Sequence, residues 1–154
     1  MVIAYIREFF VPQGILGETL ETAVPWSKIN QVKDEANKLL TELHKKYDLP
    51  GKPFFCSRIS KVYHTGICMY NTMGINVRGI KNPEKVFSDI EHKIRECFIK
   101  NGGSISHHHG VGKLRKDFMP ETISPGSIDV IQGIKKSQDP NNIFGISNSI
   151  VNKK

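Results

Sequence analysis

At 154 residues, 38% of them hydrophobic, the chain is long enough to bury one core and too apolar to be disordered. Its formal charge of +7, from 22 Lys and Arg against 15 Asp and Glu, points to an anionic ligand or surface, yet the cations are spread along the chain and no basic stripe is interleaved with aromatics, so a nucleic-acid partner is not indicated. Three cysteines (Cys56, Cys68 and Cys97) with no CxxC spacing read as free thiols rather than as a disulfide scaffold or a zinc ribbon, and no apolar run is long enough to span a bilayer.

In chain order, Val2 to Val11 is rich in β-branched and aromatic residues and predicts a strand. A strand-like run starting at Met1 leads to the expectation that the chain is part of something longer; no secretory signal and no SKL-type terminus is present. Gly14 and Gly17 predict a loop, and Pro25, with Thr22 as a cap, predicts the opening of a helix. Ile29, Val32, Ala36, Leu39, Leu40 and Leu43 recur at helical spacing to about Tyr47, where Leu49-Pro50-Gly51 stops the run. Phe54 to Ile59 and Lys61 to Val77 predict two strands, the second interrupted by Gly66 and Gly74 at a bulge or close backbone approach.

Asn82-Pro83-Glu84 opens a second helix, with Val86, Phe87, Ile90, Ile94, Cys97 and Phe98 on its buried side, and Asn101-Gly102-Gly103 caps it. Ser104 to Ser106 predicts a short strand, Gly126 to Gln138 a third helix, and Asp139-Pro140 its end. The order β-α-β-β-α-β, then helix, is an α+β fold: an antiparallel sheet with helices on one face, in the ferredoxin-like split βαβ arrangement.

The chemistry-bearing segment is Gly102-Gly103-Ser104-Ile105-Ser106-His107-His108-His109-Gly110-Val111-Gly112-Lys113-Leu114-Arg115-Lys116. Three adjacent imidazoles in a glycine-rich turn can hold, donate and accept protons around one bound molecule, and the cations behind them favour an anionic one. No HExxH motif or close carboxylate accompanies them, so a metal site is not expected. Arg7 inside a strand suits bidentate binding of phosphate or carboxylate, or a salt bridge to Glu8 or Glu18. Tyr70 reads either as a core residue with its hydroxyl at an edge or as a general acid/base, with Tyr5 and Tyr63 competing for that role. Asp139-Pro140-Asn141-Asn142-Ile143-Phe144-Gly145 reads as a rigid turn, or as an asparagine placed at a cofactor edge.

The Gly-Gly-Ser and HHHGVGKLRK segments with the closing DPNNIFG resemble the C-terminal cap domain of the vanillyl-alcohol-oxidase-type FAD flavoproteins, and within them the alkyldihydroxyacetonephosphate synthase (alkylglycerone-phosphate synthase) family. Tyr5-Ile6-Arg7, Leu16-Gly17-Glu18, Pro25-Trp26 and Arg78-Gly79-Ile80 extend that resemblance over essentially the whole chain. It implies that residues 1–154 are a substrate-binding cap whose FAD-binding domain lies outside them, so that the fragment alone is inactive. The implied reaction, in ether-lipid and plasmalogen synthesis, exchanges the acyl chain of acyl-dihydroxyacetone phosphate for a long-chain fatty alcohol on FAD, with no net redox. By position, Tyr70 matches the family's proton donor and acceptor, His107, His108 and His109 its essential histidines, and Arg7 its substrate-binding arginine; Asn142 is the candidate cofactor contact. Related 2-hydroxy-acid oxidisers carry a metal-binding glutamate where His108 stands, which argues against a metal here. A homodimer, peripheral contact with a membrane and a peroxisomal location go with the family. Two other readings stay open from the residues themselves: a non-catalytic anion or lipid-headgroup module using Arg7, Lys113, Arg115 and Lys116, and a histidine-cluster metal protein.

Overall fold

The computed structural model describes residues 8–145. They form two compact units, one ending at Gly103 and the other beginning at Ser104.

The first unit is built on a three-stranded antiparallel sheet of β1 (Ile15–Pro25), β2 (Phe54–Val62) and β3 (Gly66–Asn76), in the order β1-β3-β2. Two long helices, α1 (Ile29–Lys46) and α2 (Pro83–Lys100), supply the other half of its core. Alternation decides which face they cover. Leu16, Leu20 and Val24 of β1 pair with Ile75, Asn71 and Ile67 of β3, and these positions join Val32, Leu40, Ile90 and Phe98 in the core. Asn71 is polar in that layer and fully buried. Its amide donates to the Leu20 carbonyl (3.2 Å) and its Oδ1 accepts from the Ser57 hydroxyl (2.7 Å), so it ties β3 to both neighbours.

Both helices end in a Schellman motif. At α2, Gly103 N–H donates to the Phe98 carbonyl and Gly102 N–H to that of Ile99, with Gly102 at φ 86°. At α1 the left-handed position falls on Asp48 (φ 49°), and Leu49, whose N–H donates to the His44 carbonyl, is buried beyond it. Gly66 starts β3 opposite Pro25, where a Cβ would stand 2.1 Å from the Val24 carbonyl oxygen; this is the close approach expected of a strand glycine.

Three sequence expectations are corrected. Of the strand expected over Val2 to Val11, the part within the described residues is helical: residues 8–10 form helix and Val11–Gln13 a 3₁₀ turn, closed by Gly14 at φ 75°. The first strand lies instead where a loop was expected; Thr22 is a buried strand residue rather than a cap, and Pro25 ends β1 ahead of the 3₁₀ turn Trp26–Lys28. Ser104 to Ser106 is not a strand, so the described residues hold three of the four strands of the ferredoxin-like pattern. The α+β class, the antiparallel sheet and the helices on one face all stand.

The second unit is helical: α3 (Gly112–Arg115), α4 (Met119–Thr122) and α5 (Pro125–Gln138), with a 3₁₀ turn Lys116–Phe118 between α3 and α4. Ser124 caps α5 by accepting from Ser127 N–H, with Pro125 at the first helical position.

Candidate functional site

Tyr70 lies on β3 with its side chain on the sheet face opposite α1 and α2. Its register partners are Glu21 on β1 and Arg58 on β2, so a carboxyl, a phenol and a guanidinium stand in one row across the three strands. Tyr70 is half-buried, Glu21 is buried and Arg58 is exposed. The Tyr70 hydroxyl donates to Thr19 Oγ1 at 3.3 Å, a diagonal neighbour on the same face. The Arg58 guanidinium stands over the phenol ring, 4.7 Å from its centroid. A bulge between Ile59 and Lys61 brings Lys61, rather than Ser60, opposite Cys68 on this face.

The histidines belong to the second unit, in the segment between its start and α3. His107 is half-buried, and His108 and His109 are exposed. His107 Nδ1 and His108 Nδ1 are 3.0 Å apart, and the His108 and His109 rings meet edge to face with centroids 4.5 Å apart. Gly110 turns the chain at φ 80°. Arg115, the last residue of α3, is buried and returns its guanidinium to this turn: Nη1 donates to the Gly110 carbonyl at 2.8 Å, and Nη2 stands 3.5 Å from His109 Nδ1. Arg115 therefore serves the loop from within, whereas Lys113 is exposed.

Asn142 is a turn residue at φ 51°, its N–H donating to the Asp139 carbonyl. Asp139 organises this segment. Its carboxylate accepts from Ile143 N–H (2.8 Å), from Phe144 N–H (2.9 Å) and from Lys135. The Lys135 ammonium, with those two amides, holds the Asp139 carboxyl below its usual value. Arg7 lies outside the described residues. A groove of about 340 Å³ between α1 and α2, lined by Lys38, Glu42, Lys93 and Cys97 among others, contains neither Tyr70 nor the histidines nor Asn142.

The family of FAD linked oxidases, C-terminal domain, matches residues 1–145. This chain belongs to that family. Over 148 residues, 96% of its length, the FAD-linked oxidase C-terminal chain is 40% identical to alkyldihydroxyacetonephosphate synthase of Caenorhabditis elegans and covers 25% of that protein. It is 26% identical over 141 residues to the synthase of Dictyostelium discoideum, covering 92% of this chain and 23% of that one. A solved structure of an alkyldihydroxyacetonephosphate synthase shares its fold, with a TM-score of 0.64 at 21% identity over 92% of this chain and 22% of that one. The chain thus spans about a quarter of the length of the curated relatives it matches.

Within this FAD-linked oxidase C-terminal domain, three side chains around Tyr70 escaped the sequence reading: Thr19, Glu21 and Arg58. The first two sit in β1, which was expected to be a loop. The available signal was the alternation Leu16, Leu20, Val24 against Gly17, Thr19, Glu21, masked by the glycines at 14 and 17. Arg58 became visible only with the register that sets it beside Tyr70.

Proposed function

We propose that this chain is the C-terminal part of an alkylglycerone-phosphate synthase, an enzyme of ether-lipid synthesis that exchanges the acyl chain of acyl-dihydroxyacetone phosphate for a long-chain fatty alcohol. The observation that supports this most is the 40% identity to the C. elegans synthase across 96% of the chain. In this reading the chain works with an FAD-binding domain of the same enzyme, in a peroxisomal setting, and is inactive without that domain. Val130, Ile134, Ile143 and Phe144, all exposed in the second unit, offer apolar surface for such a partner.

The side chains present suit the chemistry. The Tyr70 and Thr19 hydroxyls each donate and accept, as do the imidazoles of the histidine run, a set matched to an oxygen-rich headgroup and to the polar edge of a flavin. When bound, FAD supplies the centre at which the two chains are exchanged without net oxidation. The fatty alcohol oxygen becomes the ether oxygen, the acyl chain leaves as a carboxylic acid, and a proton must be given and taken back on the way. Tyr70 is the proton carrier in this reading, relaying through Thr19 Oγ1. His107, His108 and His109 bind and orient the headgroup oxygens, Arg7 takes the phosphate, and Asn142 stands at the cofactor edge.

The test compares the 154-residue chain with one extended through a flavin-binding domain, reading visible absorbance and incorporation of a radiolabelled long-chain alcohol. Flavin binding and incorporation in the extended chain alone support the proposal. Full activity from the short chain with added FAD overturns its dependence on a second domain. Flavin in neither overturns the enzyme reading in favour of an anion-binding module.

A further inference from the structure

We propose that one face of α5, together with Ile143 and Phe144 in the turn that follows it, is a preformed docking surface for the flavin-binding domain of the same enzyme. The inference deepens the proposed function by naming where the partner domain seats on the second unit, and it rests on that reading for the identity of the occupant.

α5 is a helix without a core of its own. None of its 14 residues is buried, although a helix of a globular protein ordinarily turns its apolar stripe inward. Val130 and Ile134, one turn apart on one face, are both exposed. Gly133 lies beside them, three residues after Val130. Glycine in mid-helix weakens the helix, and here an added Cβ would meet nothing within 4 Å. Nothing in this chain requires a glycine at 133, whereas a partner backbone crossing close over α5 does.

The turn beyond α5 is held rigid for side chains that face water. Asp139, buried at the end of the helix, accepts from Ile143 N–H at 2.8 Å and from Phe144 N–H at 2.9 Å. Lys135 donates both to that carboxylate and to the Phe144 carbonyl. The side chains fixed by this latch are 64% exposed at Ile143 and 73% exposed at Phe144. Their backbone is ordered before any partner arrives, which lowers the entropy lost on docking and suits an aromatic anchor entering a pocket. The extent of the relatives selects the occupant. The chain covers 25% of the C. elegans synthase and 22% of the solved synthase chain, so most of such an enzyme lies outside it. An anionic lipid surface fits less well, because Asp129 is exposed next to Val130 and the Lys135 charge is turned onto Asp139.

The test is hydroxyl-radical footprinting of the chain extended through a flavin-binding domain, read residue by residue by mass spectrometry against the same chain unfolded in urea. Docking predicts that Ile143 and Phe144 are oxidised about tenfold more slowly in the folded extended chain, as befits the packed core of an interface. The 154-residue chain should oxidise them freely. Gly133→Leu should remove most of the protection in the extended chain, yet leave the melting temperature of the 154-residue chain unchanged or raised, since the added side chain enters open space there. Rates near the unfolded reference in the unsubstituted extended chain overturn the proposal, and so does protection that Gly133→Leu leaves intact. Protection that grows with protein concentration assigns the surface to a second copy, and protection that appears only with phosphatidylserine vesicles assigns it to a membrane; either overturns the occupant named here. If the 154-residue chain does not fold alone, the extended chain and its urea reference still decide. Flavin absorbance of the extended chain is a separate result: flavin bound with Phe144 exposed refutes the docking alone, and a colourless chain with Phe144 protected refutes the flavin reading alone.

Discussion

The Arg58 guanidinium lies over the ring of Tyr70, 4.7 Å from its centroid, and the two residues are register partners on β2 and β3. The ring is thus held on one side by a cation and, at its hydroxyl, by Thr19. In a chain that carries its flavin-binding domain, Tyr70→Phe should keep flavin absorbance and lower turnover by about 10²–10⁴-fold, the range for loss of a proton-transfer group. Loss of flavin along with activity would mean that Tyr70 is structural. Arg58→Met should be milder, since an exposed cation–π contact contributes only about 0.5–1 kcal/mol.

Tyr47 at the end of α1 donates a hydrogen bond to Asp89 on α2. The Tyr47 hydroxyl, followed by Lys93, holds the Asp89 carboxyl below its ordinary value, and the same bond raises the Tyr47 phenol. A depressed carboxyl contributes stability above its unfolded pKa and loses it as pH falls through the folded one; a raised phenol loses its share as pH rises through its own folded value. Tyr47→Phe should therefore cost about 1 kcal/mol at neutral pH, less to the extent that solvent screens the pair. The cost should fade below about pH 4, near the unfolded carboxyl value. Denaturant melts of both chains at neutral and acid pH measure it, and an equal difference at both pH values would refute the coupling.

Gly66→Ala should destabilise the first unit by about 1–3 kcal/mol, because the added methyl meets a backbone carbonyl that no side-chain rotation can clear. Gly79→Ala is the contrast: nothing stands within 4 Å of its Cβ position, and only the left-handed φ of 79° opposes it. A thermal melt of Gly66→Ala matching that of the unsubstituted chain would disprove the close approach.

Asp139→Asn should speed amide exchange at Ile143 and Phe144, whose N–H groups its carboxylate accepts. The Asp139 carboxyl is lowered, chiefly by Lys135, so the protection should persist through neutral pH and be lost only as pH falls below the ordinary carboxylate range. Exchange at those two amides that ignores both the substitution and the acid would rule this out.

Much of the first unit was legible because its signals are local. The spacing of Val32, Ala36 and Leu40 marks α1, and Asn101-Gly102-Gly103 marks the α2 cap. What failed was non-local. Residues 8–13 carry strand-forming types but are helical, while Ile15 to Pro25, broken by Gly17, becomes a strand because β3 supplies its partner. The same holds at the site. Tyr70 and the histidines could be picked out one at a time, but the row that joins Tyr70 to Glu21 and Arg58 exists only once three strands are in register.

The β2 bulge carries a last consequence. Ile59 pairs with Met69 and Lys61 with Cys68, consecutive rungs of the ladder, so Ser60 is a residue the sheet does not count. Its hydroxyl lies 3.3 Å from the Cys68 carbonyl, where the irregular ladder leaves an acceptor to be met. The strand has absorbed one extra residue without inverting either side of it: Arg58 and Lys61 keep a common face, as they would if Ser60 were deleted. In β2, then, deleting Ser60 leaves unchanged the parity on which the Tyr70 row depends, because the ladder already passes over that residue.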